Sequence, residues 1–137
     1  MKLTIERLVE LNSDDIRDLG KVWPEQQPEA WQAWLEAGNA LFAARFNDRL
    51  LGAVKVFLDK PKGFATLHDL CVREVTRRRG VGLYLMEDTL RQLPDINVWQ
   101  LAVSEVPSEN RAEMDAFMKA CGFNFCELSN GEQGWQS

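Results

Sequence analysis

Residues 70–86 read Leu70-Cys71-Val72-Arg73-Glu74-Val75-Thr76-Arg77-Arg78-Arg79-Gly80-Val81-Gly82-Leu83-Tyr84-Leu85-Met86. The first three close a strand-like run that begins at Phe64, in which Thr66, His68 and Leu70 alternate with Ala65, Leu67 and Asp69. The last ones open an amphipathic helix, because Leu83, Met86, Leu90 and Leu93 recur at spacings of three and four. Between strand and helix stands a basic loop, Thr76 through Gly82. Three adjacent arginines alone would suit a solvated face or a stray loop. The two glycines and the helix behind them make an anion cradle instead. Glycine lacks a Cβ, so backbone N–H groups can face a ligand. The helix start adds unpaired N–H groups and partial positive charge. Arginine adds forked donors. A pyrophosphate is the natural guest. The spacing fits neither G-x-x-x-x-G-K-[ST] nor G-x-G-x-x-G, which excludes a P-loop and leaves a dinucleotide fold unsupported.

The rest of the chain sets the cradle in context. It has 137 residues with 16 Lys and Arg against 21 Asp and Glu, a net charge of −5. That length suits one domain over residues 1–137, since domains most often run to roughly 100–150 residues. Four arginines against one glutamate give residues 73–79 a local charge of +3, which leaves −8 on the remainder. A cationic island on an acidic chain points to a compact anionic ligand. The acidic balance speaks against a general nucleic-acid binder. Charges within Met1-Lys2-Leu3-Thr4-Ile5-Glu6-Arg7 argue against a signal peptide. No apolar run approaches the roughly 20 residues of a membrane span. Cys71, Cys121 and Cys126 form no C-x-x-C pair, so free thiols in a reducing cytoplasm are expected, with no structural metal.

Outward from the cradle, residues 2–8 read as a strand. Asn12-Ser13-Asp14-Asp15 starts a helix with Ile16, Leu19 and Val22 on one face, and Pro28 opens a second helix to about Ala37. Runs 41–46 and 50–58 are strands joined at Asn47-Asp48, residue types that accept the left-handed backbone of a two-residue hairpin. Residues 97–103 form a strand, and 110–121 a helix burying Met114, Phe117, Met118 and Cys121, with Gly122 as its stop. Strands over 123–128 and towards Trp135 flank Asn130-Gly131, a hairpin signal. The order β-α-α-β-β-β-α-β-α-β-β predicts a mixed sheet with helices on its faces, an α/β (α+β) architecture.

Arg77-x-x-Gly80-x-Gly82, with Leu70-x-Val72 before it, resembles the R/Q-x-x-G-x-G/A signature of the GNAT acetyltransferases. The element order fits that family across nearly the whole chain. The resemblance implies a GNAT fold, with about six to seven strands and about four helices. It also implies acetyl-CoA or CoA as cofactor. Leu70, Cys71 and Val72 would offer backbone groups to the pantetheine arm. Thr76, Arg77, Arg78, Arg79, Gly80, Val81 and Gly82, with Leu83 behind them, would hold the phosphates.

The chain departs from the family at the chemistry. Acetyl-transferring members often carry a tyrosine four residues before a Gly-Phe pair, as general acid for the leaving thiolate. Before Gly122-Phe123 that position is Met118, beside Phe117, and neither donates a proton. Tyr84, the sole tyrosine, reads as packing. His68, the sole histidine, reads as a core or edge residue, and Asp69 and Glu105 are candidate bases by location alone.

Several segments carry a narrower resemblance: Met1-Lys2-Leu3-Thr4-Ile5, Trp23-Pro24-Glu25, Ala43-Ala44-Arg45-Phe46-Asn47, Val72 through Gly82, Ala116-Phe117-Met118 and Gly134-Trp135. Together they are similar to the PanZ/PanM family, and the likeness fades over 26–40 and 124–132. It implies a regulator that binds CoA or acetyl-CoA and docks on PanD, the zymogen of aspartate α-decarboxylase. Such a regulator promotes backbone self-cleavage of PanD at a Gly-Ser bond to the pyruvoyl form, and inhibits the mature enzyme. Arg45 and Asn47, on the hairpin, are candidate partner contacts; their plain alternatives are an edge charge and turn chemistry. Trp31 and Trp34 share a helical face and read as core, with a contact role open. An N-acetyltransferase acting on an amine, and a CoA-binding domain with another partner, are the alternative functions.

Overall fold

The computed structural model describes residues 3–72, 80–129 and 131–137, with Lys60 described by its backbone alone. Among these residues the elements run β1 (Thr4–Arg7), α1 (Ser13–Val22), α2 (Pro28–Glu36), β2 (Ala40–Phe46), β3 (Arg49–Asp59), β4 (Phe64–Val72), α3 (Val81–Gln92), β5 (Val98–Ala102), α4 (Arg111–Ala120), β6 (Asn124–Glu127) and β7 (Gln133–Gln136). Short 3₁₀ turns at Lys60–Lys62, Val103–Glu105 and Ser108–Asn110 are the additions to the expected order.

The strands form one seven-stranded sheet in the order β1-β2-β3-β4-β5-β7-β6. Neighbours are antiparallel except β4 and β5, which run parallel. Their parallel pairing covers Phe64↔Val98 to Thr66↔Gln100 only. Beyond Thr66, β4 continues to Val72 without β5 beside it.

Local chemistry explains the ends. Asn12 caps α1 by accepting from the Asp15 N–H at 2.8 Å. Pro28 occupies the first turn of α2. Asn47 and Asp48 adopt φ of 52° and 62°, the left-handed pair that a tight hairpin needs. Gly80 enters α3 at φ 78°, where a side chain would be strained.

Two apolar clusters cover the sheet. One gathers Phe42, Val54, Leu67, Leu85, Met86, Trp99, Leu101, Met118 and Trp135 under α3 and α4. The other gathers Leu19, Val22, Trp23, Trp31, Leu41 and Leu50 under α1 and α2.

Some expectations shift. On α3 the buried face is Val81, Leu85, Met86, Asp88 and Thr89, not Leu83, because the helix turns its 81/85/88 stripe to the sheet. On α4 Met118 alone is buried; Met114, Phe117 and Cys121 are half-buried. Tyr84 is exposed, so it does not serve the core. Trp31 is core, whereas Trp34 stays half-buried with its indole N–H donated to the Ala40 carbonyl.

Candidate functional site

Where β4 runs on without β5, a cavity of about 350 Å³ opens between its end, the start of α3, and the segment from Glu105 into α4. Leu70, Cys71, Val72 and Gly82 line it on one side, with Glu105, Asn110, Glu113, Met114 and Phe117 opposite. A second cavity of about 310 Å³ adjoins it and adds Gly80 and Leu83. Six sequence candidates therefore converge here: Leu70, Cys71, Val72, Gly80, Gly82 and Leu83. Val81 instead buries its side chain in the core. Thr76, Arg77, Arg78 and Arg79 lie outside the described residues.

Gly82 has a positional reason to be glycine. A Cβ there would stand 3.3 Å from the Phe117 ring and 3.4 Å from Val72 Cγ2. The absent side chain is what leaves the cavity floor open. Gly80 at the start of α3 supplies no side-chain cap, and a helix start of this kind, with N–H groups that need acceptors, suits an anion. Met114 and Phe117 line the cavity as well as packing against the edge of the core, which is why they are only half-buried. Met118, the position of the family's tyrosine, is fully buried and lines neither cavity.

The candidate bases do come together in part. His68 Nδ1 lies 3.1 Å from Glu105 Oε1, and His68 Nε2 lies 3.0 Å from Thr66 Oγ1. Asp69 turns elsewhere. It sits at φ 54° in a bulge that shifts the β3–β4 register between Ala53 and Lys55. Its carboxylate accepts from Lys55 Nζ at 3.1 Å, and its carbonyl from the Trp23 indole at 2.7 Å. Lys55 was missed by sequence reasoning: it is buried in an apolar strand, and its partners Gln26 and Asp69 are distant in sequence. Cys121 is also no nucleophile, since burial first, then the Glu87 charge, push its thiol up to about 11.

At the hairpin, Arg45, the candidate partner contact, is tied to two carboxylates. Its guanidinium donates to Glu6 and, at 3.0 Å, to Asp15 Oδ1. Burial alone would lower its pKa, but the hydrogen bonds it donates to Asp15 and Glu6, and their charges, hold it above its ordinary value. Asn47 is exposed at the tip.

A seven-stranded mixed sheet with one parallel pair splaying over a glycine-edged cavity is the architecture of a GNAT-fold acyl-CoA-type domain. A family model described as acetyltransferase (GNAT) domain, PanZ, matches residues 2–136, and this chain belongs to the PanZ family. The PanD regulatory factors of Escherichia coli K12 and Salmonella typhimurium LT2 are 49% and 47% identical to it over 123 residues, 90% of this chain and 92% of each relative. Among solved structures, Escherichia coli YhhK, determined by NMR bound to coenzyme A, is 44% identical. It superposes with a TM-score of 0.82 over 100% of this chain and 98% of that one. The Escherichia coli ribosomal-protein-S18-alanine N-acetyltransferase shares the fold, with a TM-score of 0.73 at 17% identity over 98% of this chain and 91% of that one.

Proposed function

We propose that this chain, as one domain over 1–137, is a CoA- or acetyl-CoA-dependent regulator of PanD. It binds the aspartate α-decarboxylase zymogen, promotes self-cleavage to the pyruvoyl form, and inhibits the mature enzyme. The observation that carries this reading is the cavity at the end of β4. It is lined by the strand and glycine positions of the acyl-CoA signature, in a chain nearly half identical to two PanD regulatory factors. Leu70, Cys71 and Val72 would contact the pantetheine arm, and Thr76 through Leu83 the phosphates. Arg45 and Asn47 would meet PanD. Arg45 is held in place by Glu6 and Asp15, and a guanidinium has five N–H donors, so donors remain for a peptide carbonyl or carboxylate. Among the described residues no helix is long and apolar enough to cross a membrane. A cytoplasmic site fits this and the free cysteines.

The test mixes the chain, CoA and uncleaved PanD and follows two PanD fragments on a gel. Cleavage should accelerate with both components present. Equal rates with and without the chain would refute the reading. Thiol release that requires an added amine would place the chain among N-acetyltransferases instead.

A further inference from the structure

Strict alternation along β4 would send Leu67, Asp69 and Cys71 to one face of the sheet and His68, Leu70 and Val72 to the other. The strand breaks that rule at Asp69. Lys55 pairs with His68, but Ala53, two residues back on β3, pairs with Cys71 rather than Leu70. One extra residue on β4 turns every later side chain over. Leu67, Leu70 and Val72 accordingly all pack on the cluster under α3 and α4, while Cys71 packs on the cluster under α1 and α2. The place of Leu70 and Val72 on the cavity wall depends on this shift.

Asp69 holds φ 54° to make the shift, a left-handed backbone that costs a residue with a side chain and that glycine takes freely. Two groups anchor it from the α1 and α2 side. The Trp23 indole N–H donates to the Asp69 carbonyl at 2.7 Å, and Lys55 Nζ donates to its carboxylate at 3.1 Å. Lys55 is itself fixed. It is buried, donates to Gln26 Oε1 at 2.8 Å, and lies 5.1 and 5.9 Å from the ring centroids of Trp23 and Trp34. Gln26 Oε1 also accepts from the Trp31 indole at 2.8 Å. Neither Lys55 nor Trp23 lines either cavity.

We propose that Lys55 and Trp23 are positioning residues for the cofactor: they latch Asp69 in the bulged register and so keep Leu70 and Val72 turned to the cavity. The proposal rests on the CoA reading above. Only the bulged register presents the cavity wall, so apparent affinity scales with the population of that register. Loosening the latch lowers the population without removing any group that lines the cavity. Affinity for the cofactor is thus set partly by the segment that joins α1 to α2, which carries Trp23 and Gln26.

Calorimetric titration of the full chain with CoA, paired with thermal melts, tests this. Lys55→Met keeps the aliphatic stem beside the indoles and removes the ammonium; it should weaken CoA binding about tenfold. Trp23→Phe keeps an aromatic ring and removes the N–H donor; it should weaken binding about threefold. Glycine needs no anchor at this φ, so Lys55→Met combined with Asp69→Gly should bind CoA more tightly than Lys55→Met alone. Gly134→Ala, which strains β7 away from the latch, is the control for lost stability: it should melt lower and bind CoA as the wild type does. Three results overturn the proposal: unchanged affinity in Trp23→Phe and in a folded Lys55→Met, an equal loss in Gly134→Ala, or no recovery on adding Asp69→Gly. If Lys55→Met does not fold, Trp23→Phe decides by the same measure. A wild-type chain that takes up no CoA overturns the CoA reading and the latch with it.

Discussion

Asp18 is 1% exposed, yet its carboxyl lies below its ordinary value. Burial alone would push it up; the Leu50 N–H at 3.1 Å, then the Arg49 and Arg17 guanidinium groups, more than offset that. One carboxylate thereby ties α1 to the start of β3. Asp18→Asn keeps the shape and removes the charge, and should cost about 1–3 kcal/mol at pH 7. The sign with pH follows from the depressed folded value. The contribution is complete above the unfolded value of about 3.9 and is lost as pH falls through the folded one. Urea midpoints at pH 7 and pH 3 should therefore converge between wild type and variant. A constant gap would refute this account. Such residues mark where the sequence stops being legible. Asp18, Lys55 and Arg45 look like surface charges in their own segments, and it is partners 14 to 39 residues away that draw them inward. Glu105 and His68 are a similar case: each was visible as a titratable side chain, but their meeting depends on β4 and β5 parting.

Two glycines separate the elements that make the site from those that make the fold. At Gly82, in α3, a side chain enters space that the cavities use, and the backbone there is not left-handed. Gly82→Val should leave the far-UV circular dichroism unchanged and push into Phe117. Stabilisation by CoA at a hundredfold excess over Kd, about 2.7 kcal/mol for the wild type, should fall below about 1 kcal/mol. An undiminished shift would dissociate the cavity from the cofactor. Gly134, on β7, is different. A Cβ there would lie 2.7 Å from Leu128 Cδ1 and 3.0 Å from Ala102 Cα, and would strike the Leu101 carbonyl. Gly134→Ala should separate β7 from β5 and cost about 1–3 kcal/mol in a thermal melt, with or without CoA. The elements themselves were legible, because period-two runs, cap residues and Asn47-Asp48 are local signals. The face of α3 was not, since Leu83 and Leu85 are equally apolar and only the sheet decides which is covered. The bulge at Asp69 was also hidden, because its cause is the pairing with β3.

At the scale of the molecule, register places the proposed partner contacts and the cofactor site at one end of the sheet. Phe46 pairs with Arg49 across the hairpin, and three residues on, Gly52 pairs with Val72, the last described residue before the basic loop. A partner seated on Arg45 and Asn47 would thus sit close to whatever the cavity's mouth holds. If CoA completes that surface, the two binding events are coupled, and the coupling must be reciprocal. Titration calorimetry of the chain with cleavage-blocked PanD, with and without saturating CoA, measures the factor by which CoA tightens PanD. The same factor should tighten CoA when PanD is saturating, within the 5–150-fold range of about 1–3 kcal/mol. Arg45→Ala should weaken PanD binding in both titrations and leave CoA binding by the free chain unchanged, because Arg45 lines neither cavity. Equal PanD affinity with and without CoA would mean the two sites merely share an end of the sheet, and the cofactor would then have to act on PanD cleavage after docking rather than through it.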